Sequence, residues 1–338
     1  MKAIYLKEAG NIQVADVAQP EYKVDQILIR VKSVGICGSD ISAYLGTSPL
    51  VTYPRIIGHE IAGEVVEVPA GEERIAIGDR VVLEPYVYCG ECYPCRNKRT
   101  NCCENLTVRG VHIDGGMAEY VYHPRHLVHK VPAGIPWNHL AMAEPLTISM
   151  HAVSRSRLQQ DEYAVITGCG PIGLLAAQYA LTIGAKPIMV DPVEERLAMA
   201  RKAGVEYTVN PLKEDAVEVI KAITGGTMAE VVIEASGNAA AIRSSIDYVA
   251  YSGRISLVGY PKNEVALPTA LFTKKELDIV GARNSFQAFA QSIRLIAENK
   301  VDVAAVITKT ISFEEIPEIV HDISVNPGNY MKVIAELE

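Results

Sequence analysis

The sequence predicts an α/β protein in which a mainly-β domain is joined to a doubly wound parallel sheet. Three observations predict this class. As far as about Pro145 the chain shows short alternating stretches punctuated by Gly and Pro. From about Ala152 short apolar strands alternate with helical patterns, which is typical of a parallel sheet covered by helices. The length of 338 residues is sufficient for two domains.

The alternating stretches 27–34, 63–68 and 79–83 predict strands of the first domain. In the second half, the strands AVITG, PIMVD, VVIEA and ISLVG alternate with helices that begin after Pro171 and at Glu194. The last part predicts a helix over 288–299 and a final strand in MKVIAEL, and we expect it to return to the first domain.

Composition narrows the function classes. Apolar residues make up 49% of the chain, the net charge is −8, and no basic block occurs, which disfavours nucleic acid or an anionic membrane as a partner. No apolar run reaches the length of a membrane span and the start has no signal-peptide pattern, so we expect a cytoplasmic protein with reduced thiols. A small-molecule enzyme or binding protein remains.

A short window carries a metal-type cysteine pattern, C-x-x-C-x-x-C-x7-C, at Cys89, Cys92, Cys95 and Cys103. Four thiolates at this spacing suit one tetrahedral Zn²⁺ and close its coordination shell, so this zinc would hold the fold and catalyse nothing. The neighbouring Cys102 leaves the fourth ligand ambiguous. A disulfide cluster is the alternative.

The nucleotide signal is GCGPIG, which follows the strand AVIT and leads at once into an apolar helix. Gly168 permits a tight turn, Gly170 lets the backbone approach a pyrophosphate, and Gly173 lets the helix pack on the strand. The N–H groups of the helix N-terminus favour bound phosphates. An ordinary strand-to-helix turn is the alternative.

The next strand ends at Asp191, whose carboxylate can accept both ribose hydroxyls and would repel a 2′-phosphate, so we predict NAD. Arg196 would pack on the adenine side or pair with Asp191. A helix N-cap is the alternative role for Asp191. Further cofactor contacts are predicted from Pro171, Ile172, Thr147, Val258 and Arg283.

Three separate pieces of the first half carry metal-type side chains: Cys37 in GICGSD, His59 and Glu60 in IIGHE, and Glu144 in MAEPL. Singly, each has a structural alternative as a small apolar residue, a core histidine or half of an ion pair. Together, a Cys, a His and one carboxylate make a three-ligand zinc site with an open position. Such a zinc lowers the pKa of a bound alcohol, which can then release hydride to a nicotinamide.

The motifs resemble those of the zinc-dependent medium-chain alcohol dehydrogenases, in the branch of the sorbitol and threonine dehydrogenases. The resemblance covers essentially the whole chain, because GICGSD, IIGHE, GDRV, CGECYPCRNKRTNCC, AEP, GCGPIG and the strand-end Asp191 occur in the family's order. It implies a GroES-like catalytic domain made of residues 1–146 and 283–338. A Rossmann NAD-binding domain would occupy residues 147–282.

The resemblance also implies residue roles. The catalytic zinc would lie on Cys37 and His59, with Glu60 and Glu144 as carboxylates that bind the metal or its water. The structural zinc would take Cys103 rather than Cys102 as its fourth ligand.

The proton relay is implied by the same resemblance. Ser39 would take the substrate proton and Asp40 would orient His59. The chain departs from the family at Ser42, where many relatives place a histidine that passes the proton to solvent, so water or another group must complete the relay. It departs again at Ala43, where sorbitol dehydrogenases carry a tyrosine, which disfavours sorbitol as the substrate.

The phrases AYLGTSPL, YPRIIGHE, GVHIDGG and GARN are most similar to bacterial dehydrogenases of hexonic acids, such as L-galactonate and L-gulonate 5-dehydrogenases. A sugar acid needs a cation for its carboxylate, and Arg283 is the first candidate. The alternative for each arginine is a salt bridge, and for His112 a turn. Further substrate candidates are Tyr44, Arg55, Arg109 and His112.

We therefore predict a zinc-dependent NAD oxidoreductase that converts a secondary alcohol of a sugar acid to a ketone. The alternatives are a polyol or L-threonine dehydrogenase and, from a different class, a non-catalytic NAD-binding relative. We also expect a homodimer or homotetramer in which the apolar stretches 255–258 and 265–271 join edge strands of two copies. Alternatively, these stretches fill the core.

Overall fold

The computed structural model describes residues 1–338. The strands are β1 (Lys2–Glu8), β2 (Asn11–Asp16), β3 (Gln26–Ile36), β4 (Arg55–Ile56), β5 (Glu60–Glu67), β6 (Arg80–Leu83), β7 (Tyr86–Val87), β8 (Thr107–Val108), β9 (Tyr120–Pro124), β10 (Val128–Lys130), β11 (Tyr163–Thr167), β12 (Lys186–Val190), β13 (Tyr207–Val209), β14 (Ala229–Glu234), β15 (Val249–Leu257), β16 (Asp278–Gly281), β17 (Ile307–Ser312) and β18 (Lys332–Glu336).

The helices are shorter than a bilayer is thick, and none is both long and apolar enough to cross one. They are α1 (Gly38–Tyr44), α2 (Tyr93–Arg96), α3 (Trp137–Ala141), α4 (Ala143–Ser156), α5 (Pro171–Thr182), α6 (Glu194–Lys202), α7 (Ala216–Ile223), α8 (Ala239–Tyr248), α9 (Ala270–Lys275), α10 (Phe289–Ala297) and α11 (Ile316–Val325).

The chain divides into two compact units. Unit 1 contains Met1–Glu144, Phe289–Ala297 and Ile307–Glu338, and unit 2 contains Pro145–Ala288 and Glu298–Val306. The domain boundaries after residues 146 and 282 stay predictions.

Unit 1 is mainly β, as the alternating pattern predicts. Its larger sheet has the strand order β10-β6-β5-β3-β18-β17, with β9 also paired to β3, and a second sheet has the order β2-β1-β4. β3 runs antiparallel to both β5 and β18, which places Gly35 opposite Glu60 on one side and opposite Ile334 on the other. The end of β3 therefore meets the start of β5 and the start of β18.

The core of unit 1 lies between these sheets and α11. Its buried side chains are β-branched or leucine for the most part, which fit a pleated surface. On β1, the alternation of buried Ile4 and Leu6 with outward neighbours shows the period of two on which the strand predictions depend. The apolar members that are fully buried include Ile27, Ile29, Val31 and Val34 of β3.

Unit 2 is a six-stranded sheet with the order β13-β12-β11-β14-β15-β16, and every neighbouring pair is parallel. This is the doubly wound order, in which the order of the strands reverses between β11 and β14. The strands carry runs of buried apolar residues, as strands covered on both faces do. The predicted α/β class, with a mainly-β part and a doubly wound parallel sheet, is confirmed.

The prediction of an interface strand at 255–258 is wrong. β15 contains Ile255 and pairs with β14 on one side and β16 on the other, so it is an interior strand. Ile255 is a member of the buried core, and Leu267 and Leu271 pack against that core, as the alternative interpretation states. The edges of this sheet are β13 and β16, and the predicted homodimer or homotetramer stays a prediction.

Candidate active site and cofactor site

Three predicted metal ligands converge in unit 1. The ligand atoms of Cys37, His59 and Glu60 all lie within 4.8 Å of one another. Cys37 follows the end of β3, and Glu60 is the first residue of β5, which pairs with β3. A Cβ on Gly35 would lie 1.8 Å from Glu60 Oε2, so only glycine leaves room for this carboxylate. The pairing of two strands therefore builds the cluster.

Asp40 connects the two segments that carry the cluster. Its Oδ2 accepts from the Cys37 N–H at 2.9 Å, and its Oδ1 accepts from the Gly58 N–H at 3.1 Å. The His59 Nδ1 lies 3.9 Å from Asp40 Oδ1, which is beyond hydrogen-bonding distance. Burial raises the pKa of Asp40, against the lowering effect of His59. Asp40 thus holds the backbone on both sides and faces the imidazole.

Glu60 is held by a buried lysine that the sequence analysis missed. Lys332 Nζ donates to Glu60 Oε1 at 2.6 Å and to the Ile36 carbonyl at 3.2 Å. The two side chains are 4% and 1% exposed. The other carboxylate oxygen, Glu60 Oε2, is buried without a hydrogen-bond partner. A lysine within the apolar strand MKVIAE is the signal that could have revealed this pair.

An unpartnered buried oxygen beside a thiol and an imidazole fits a zinc site. Buried carboxylate oxygens almost always have a donor or a cation, and Cys, His and a carboxylate are the ligand types of an open zinc site. The donor set of Cys37, His59 and Glu60 therefore fits the metal.

Glu144 lies in the first turn of α4 and is not among the three clustered ligands. The Tyr86 hydroxyl donates to its Oε1. Burial raises the pKa of Glu144 to about 7, with His59 and Tyr86 acting in the opposite direction and Glu60 adding to the rise. Tyr86 is a second residue that the sequence analysis missed, since a tyrosine at the start of the two-residue strand β7 carries no signal of its partner.

The pKa of His59 responds to the charges around it. Burial lowers it, but the thiolate of Cys37 and the carboxylates of Asp40 and Glu144 raise it well above the usual value. A zinc ligand must be a neutral imidazole, so metal binding at this cluster would release protons.

The predicted relay residues lie on α1. Ser39 is exposed and lies two residues after Cys37. The Ser42 hydroxyl donates to the Gly38 carbonyl at 3.0 Å, within its own helix. Ser39 is therefore close to the ligand Cys37 along the chain, and its role in proton transfer stays a prediction.

The four cysteines of the second motif also converge. The sulfurs of Cys89, Cys92, Cys95 and Cys103 all lie within 4.8 Å of one another, and none of the seven cysteines forms a disulfide. The alternative of a disulfide cluster is therefore wrong. Cys103 Sγ lies 3.5 Å from Cys89 Sγ and 3.8 Å from Cys92 Sγ. Zinc–sulfur bonds of about 2.3 Å in a tetrahedron put the sulfurs about 3.8 Å apart. The spacing fits zinc with Cys103, and Cys102 lies outside the cluster.

In unit 2 the glycine loop joins β11 to α5, as predicted. Gly168 has φ +92°, where side chains are strained, and a Cβ on Gly173 would lie 1.8 Å from the Gly168 carbonyl oxygen. A Cβ on Gly170 would meet nothing within 4 Å. Gly170 is the N-cap of α5 and Pro171 follows it, so there is open space next to the N-terminus of this helix. This cradle fits a pyrophosphate.

Asp191 follows β12 and is buried. Its Oδ2 accepts from the Cys169 N–H at 2.7 Å and its Oδ1 from the Val193 N–H at 2.8 Å. Each oxygen keeps a second lone pair, which a ribose hydroxyl can use. Val193, not Asp191, is the N-cap of α6, and Asp191 forms no ion pair with Arg196. Those two alternatives are therefore wrong.

The other predicted cofactor residues lie after strands or in helices of the structure. Val258 follows β15 and Arg283 follows β16. Both therefore lie at the carboxyl-terminal ends of the parallel strands, as Gly168 and Asp191 do. Arg283 is exposed, whereas Thr147 in α4 is fully buried. Ile172, the second residue of α5, accepts from the Ser149 hydroxyl through its carbonyl at 2.8 Å.

The substrate candidates of unit 1 have protein partners. Arg55 pairs with Asp114 at 3.1 Å, as the salt-bridge alternative states. Arg109 is buried and donates to His123 and to the carbonyls of Asp114 and Tyr122. Burial lowers the pKa of Arg109 to about 10. These contacts hold both arginines in structural roles.

The other two candidates are also engaged. The hydroxyl of Tyr44, the buried last residue of α1, lies 3.1 Å from His321 Nδ1 of α11. His112 Nδ1 accepts from the Val108 N–H at 3.0 Å, within a turn. A substrate role for either residue stays a prediction.

Comparison with known proteins gives consistent matches. Residues 23–133 match the alcohol dehydrogenase GroES-like domain, and residues 171–298 match the zinc-binding dehydrogenase family. A zinc-type alcohol dehydrogenase-like protein of Haemophilus influenzae, itself uncharacterized, is 52% identical over 99% of this chain and 98% of its own. The L-galactonate-5-dehydrogenase of Escherichia coli is 37% identical over 87% of this chain and 86% of its own.

One solved structure has the same fold throughout. A Sinorhizobium meliloti protein described as a zinc-binding dehydrogenase, with NADP bound, superposes with a TM-score of 0.93 and 32% identity over 99% of both chains.

Proposed function

The chain belongs to the zinc-dependent medium-chain alcohol dehydrogenase family, and from that premise we propose that it oxidises a secondary alcohol of a sugar acid, of the L-galactonate or L-gulonate type, to a ketone. It is an oxidoreductase of the zinc-type alcohol or polyol dehydrogenase class that acts on a small molecule. Its cofactors are NAD and two zinc ions per chain.

The observation that carries the proposal is the cluster of Cys37, His59 and Glu60, in which one buried carboxylate oxygen lacks a donor. An unsatisfied buried acceptor costs about 1–3 kcal/mol, and a metal ion held by the three ligands would satisfy this one. The four-cysteine cluster, in contrast, has a full set of ligands and suits a structural zinc.

The residues that would hold the catalytic zinc are Cys37, His59 and Glu60, with Glu144 as a nearby carboxylate. When bound, zinc acts as a Lewis acid toward an alcohol oxygen and NAD accepts the hydride. Asp40 keeps Cys37 and the segment before His59 in place through two backbone N–H groups. Lys332 fixes one oxygen of Glu60 and leaves the other for the metal side.

We assign transfer of the alcohol proton to a residue of α1. Ser39 is exposed and near Cys37 in the chain, so its Oγ is the group we assign to receive the proton of the alcohol. Ser42 already donates to the Gly38 carbonyl, so we assign water to the outer end of the relay.

The sugar-acid assignment depends on Arg283. Arg283 is exposed and follows β16 at the carboxyl edge of the parallel sheet, where ligands of such sheets bind. A planar guanidinium is well suited to a carboxylate.

The test is NADH formation by the zinc-loaded protein with L-galactonate, L-gulonate, other hexonates, sorbitol and L-threonine, each with NAD and with NADP. The proposal expects activity with a hexonate and NAD. Activity only with sorbitol or only with L-threonine would replace the substrate by a polyol or an amino acid and keep the class of reaction. Zinc and NAD binding without turnover on any of them would favour the non-catalytic alternative.

Arg283→Gln separates the sugar-acid proposal from a neutral-polyol one. The variant should raise KM for the hexonate at least tenfold, about the effect of losing one charge-assisted hydrogen bond, and should leave KM for sorbitol within about twofold. Equal effects on the two substrates would contradict carboxylate recognition by Arg283.

A further inference from the structure

Glu234 is a buried carboxylate that neither the metal cluster nor the predicted cofactor contacts explain. It is the last residue of β14, at the centre of the parallel sheet, and it is 0% exposed. No Lys, Arg or His forms an ion pair with it, although buried acidic groups are usually paired. β14 pairs with β11 on one side and with β15 on the other, so Glu234 lies next to the point where the strand order reverses.

Backbone and hydroxyl donors take the place of a cation. The Ser236 N–H donates to Glu234 Oε1 at 2.9 Å, and the Gly237 N–H lies 3.1 Å from each oxygen. The Ser236 hydroxyl donates to the same Oε1, and the Thr167 hydroxyl reaches it at 3.5 Å. The carboxylate therefore binds the loop after its own strand and touches the end of β11.

The main chain of Glu234 binds a third loop. Its carbonyl accepts from the Val258 N–H at 2.9 Å and from the Gly259 N–H at 3.1 Å. Glu234 thus contacts three strand-end loops, which we define as residues 167–170, 235–238 and 258–260.

Glycines bring these three strand-end loops unusually close together. A Cβ on Gly168 would lie 2.8 Å from the Ser236 Cβ, and a Cβ on Gly259 would lie 2.1 Å from the Gly237 nitrogen. A Cβ on Gly259 would also lie 2.8 Å from Glu234 Oε2. Real Cβ atoms do not approach other atoms so closely, so the loops are packed backbone against backbone.

The first of the three strand-end loops contains Gly168 and Gly170, the predicted pyrophosphate cradle. Its position depends on Ser236, which packs against Gly168 and is fixed by Glu234. Ser236 Oγ also accepts from the Asn238 N–H at 3.0 Å, and Asn238 caps α8. One carboxylate therefore sets the position of the cradle relative to the two neighbouring loops.

We propose that Glu234 is a positioning residue for the dinucleotide, which holds the three strand-end loops at the spacing that the pyrophosphate and the nicotinamide side require. The inference rests on the proposed use of NAD. Glu234 itself is buried and acts through the loops.

The test compares NADH binding, followed by NADH fluorescence, in the zinc-loaded wild type, Glu234→Gln and Glu230→Gln. Glu230 is the matched control: it lies on the same strand, and its Oε2 accepts from the Tyr163 N–H at 2.9 Å at the opposite end of the sheet. Glu234→Gln turns an acceptor toward two backbone donors into an amide, so the Kd for NADH should rise about tenfold or more. Glu230→Gln should leave that Kd within about twofold.

Two further measurements separate positioning from general loosening. Gly259→Ala should raise the Kd for NADH in the same direction without changing a charge, and it tests the proposal if Glu234→Gln does not fold. The Kd for 5′-AMP should change by less than about threefold in Glu234→Gln, because the proposed ribose partner Asp191 follows β12 and its carboxylate is held by the Cys169 and Val193 N–H groups rather than by Glu234.

Wild-type affinity for NADH in a folded Glu234→Gln with both zinc ions would overturn the proposal. Equal losses for NADH and 5′-AMP, shared by Glu230→Gln, would also overturn it, because they indicate a loosened sheet. A wild-type protein that binds no NADH would overturn the proposed function and this inference with it.

Discussion

Lys332 shows how one residue determines the state of the metal cluster. Its ammonium group lies out of reach of water beside Glu60, with the carbonyl of Ile36 as a second acceptor. Burial lowers the pKa of Lys332, but the negative charges of Glu60 and Cys37 raise it by more, so the net shift of this pKa is upward. A charged lysine therefore balances the excess of negative groups in the cluster.

Lys332→Met should destabilise the protein by about 3–5 kcal/mol, because it leaves the Glu60 carboxylate buried without its cation. The measurement is chemical denaturation at neutral pH. Lys2→Met is the matched control, since the ion pair of Lys2 with Glu314 is exposed and should contribute less than about 1 kcal/mol. Equal losses for the two variants would contradict the role of burial.

Glu144 gives the site a pH dependence. Its pKa is raised from 4.5 to about 7 by burial, so the folded state binds a proton that the unfolded state has released. This contribution to stability is complete below about pH 4.5 and is lost as the pH rises toward about 7. After zinc is removed with a chelator, the wild type should lose stability over this range relative to Glu144→Gln. A difference between the two that does not change with pH would refute the shift.

At the scale of elements, the pairing of β3 with β5 makes the catalytic cluster, and Gly35 is the contact that permits it. Gly35→Ala would place a Cβ against Glu60 Oε2 and displace the carboxylate. We expect the zinc content to fall from two ions per chain to about one, as measured by elemental analysis. Gly328→Ala, where a Cβ meets nothing within 4 Å, should keep both ions. Two ions in Gly35→Ala would disprove the ligand role of Glu60.

The four-cysteine lobe makes a second prediction at this scale. Cys103→Ser removes a ligand from a closed shell, so the protein should retain one zinc per chain and lose thermal stability. Cys102→Ser changes the neighbouring thiol, which lies outside the cluster, and should retain two ions and the wild-type melting temperature. The reverse outcome would assign the fourth ligand to Cys102.

At the scale of the whole molecule, the sequence predicted the fold because its signals are local. The GCGPIG turn, the strand-end Asp191 and the period-two stretches each depend on a few neighbouring residues, and β11, β12 and α5 appear where they indicate. The cysteine spacing is local too, and Cys103 joined the cluster as the family resemblance implied.

The remaining features depend on long-range pairing. Lys332 meets Glu60 across 272 residues, and Tyr86 meets Glu144 across 58, so no spacing rule could have predicted either contact. The interior position of β15 could not be predicted either, because it depends on pairing with β16, a strand of four residues that carries little pattern of its own. The partners of Arg55, Arg109 and Tyr44 likewise required the folded chain.

We assign the catalytic zinc to Cys37, His59 and Glu60, and an anomalous difference map at the zinc absorption edge, from crystals of the zinc-loaded protein, would locate it. We expect two peaks per chain, one among the four cysteine sulfurs and one within bonding distance of Cys37, His59 and Glu60. A single peak at the four cysteines, or a second peak away from Cys37 and His59, would contradict this assignment.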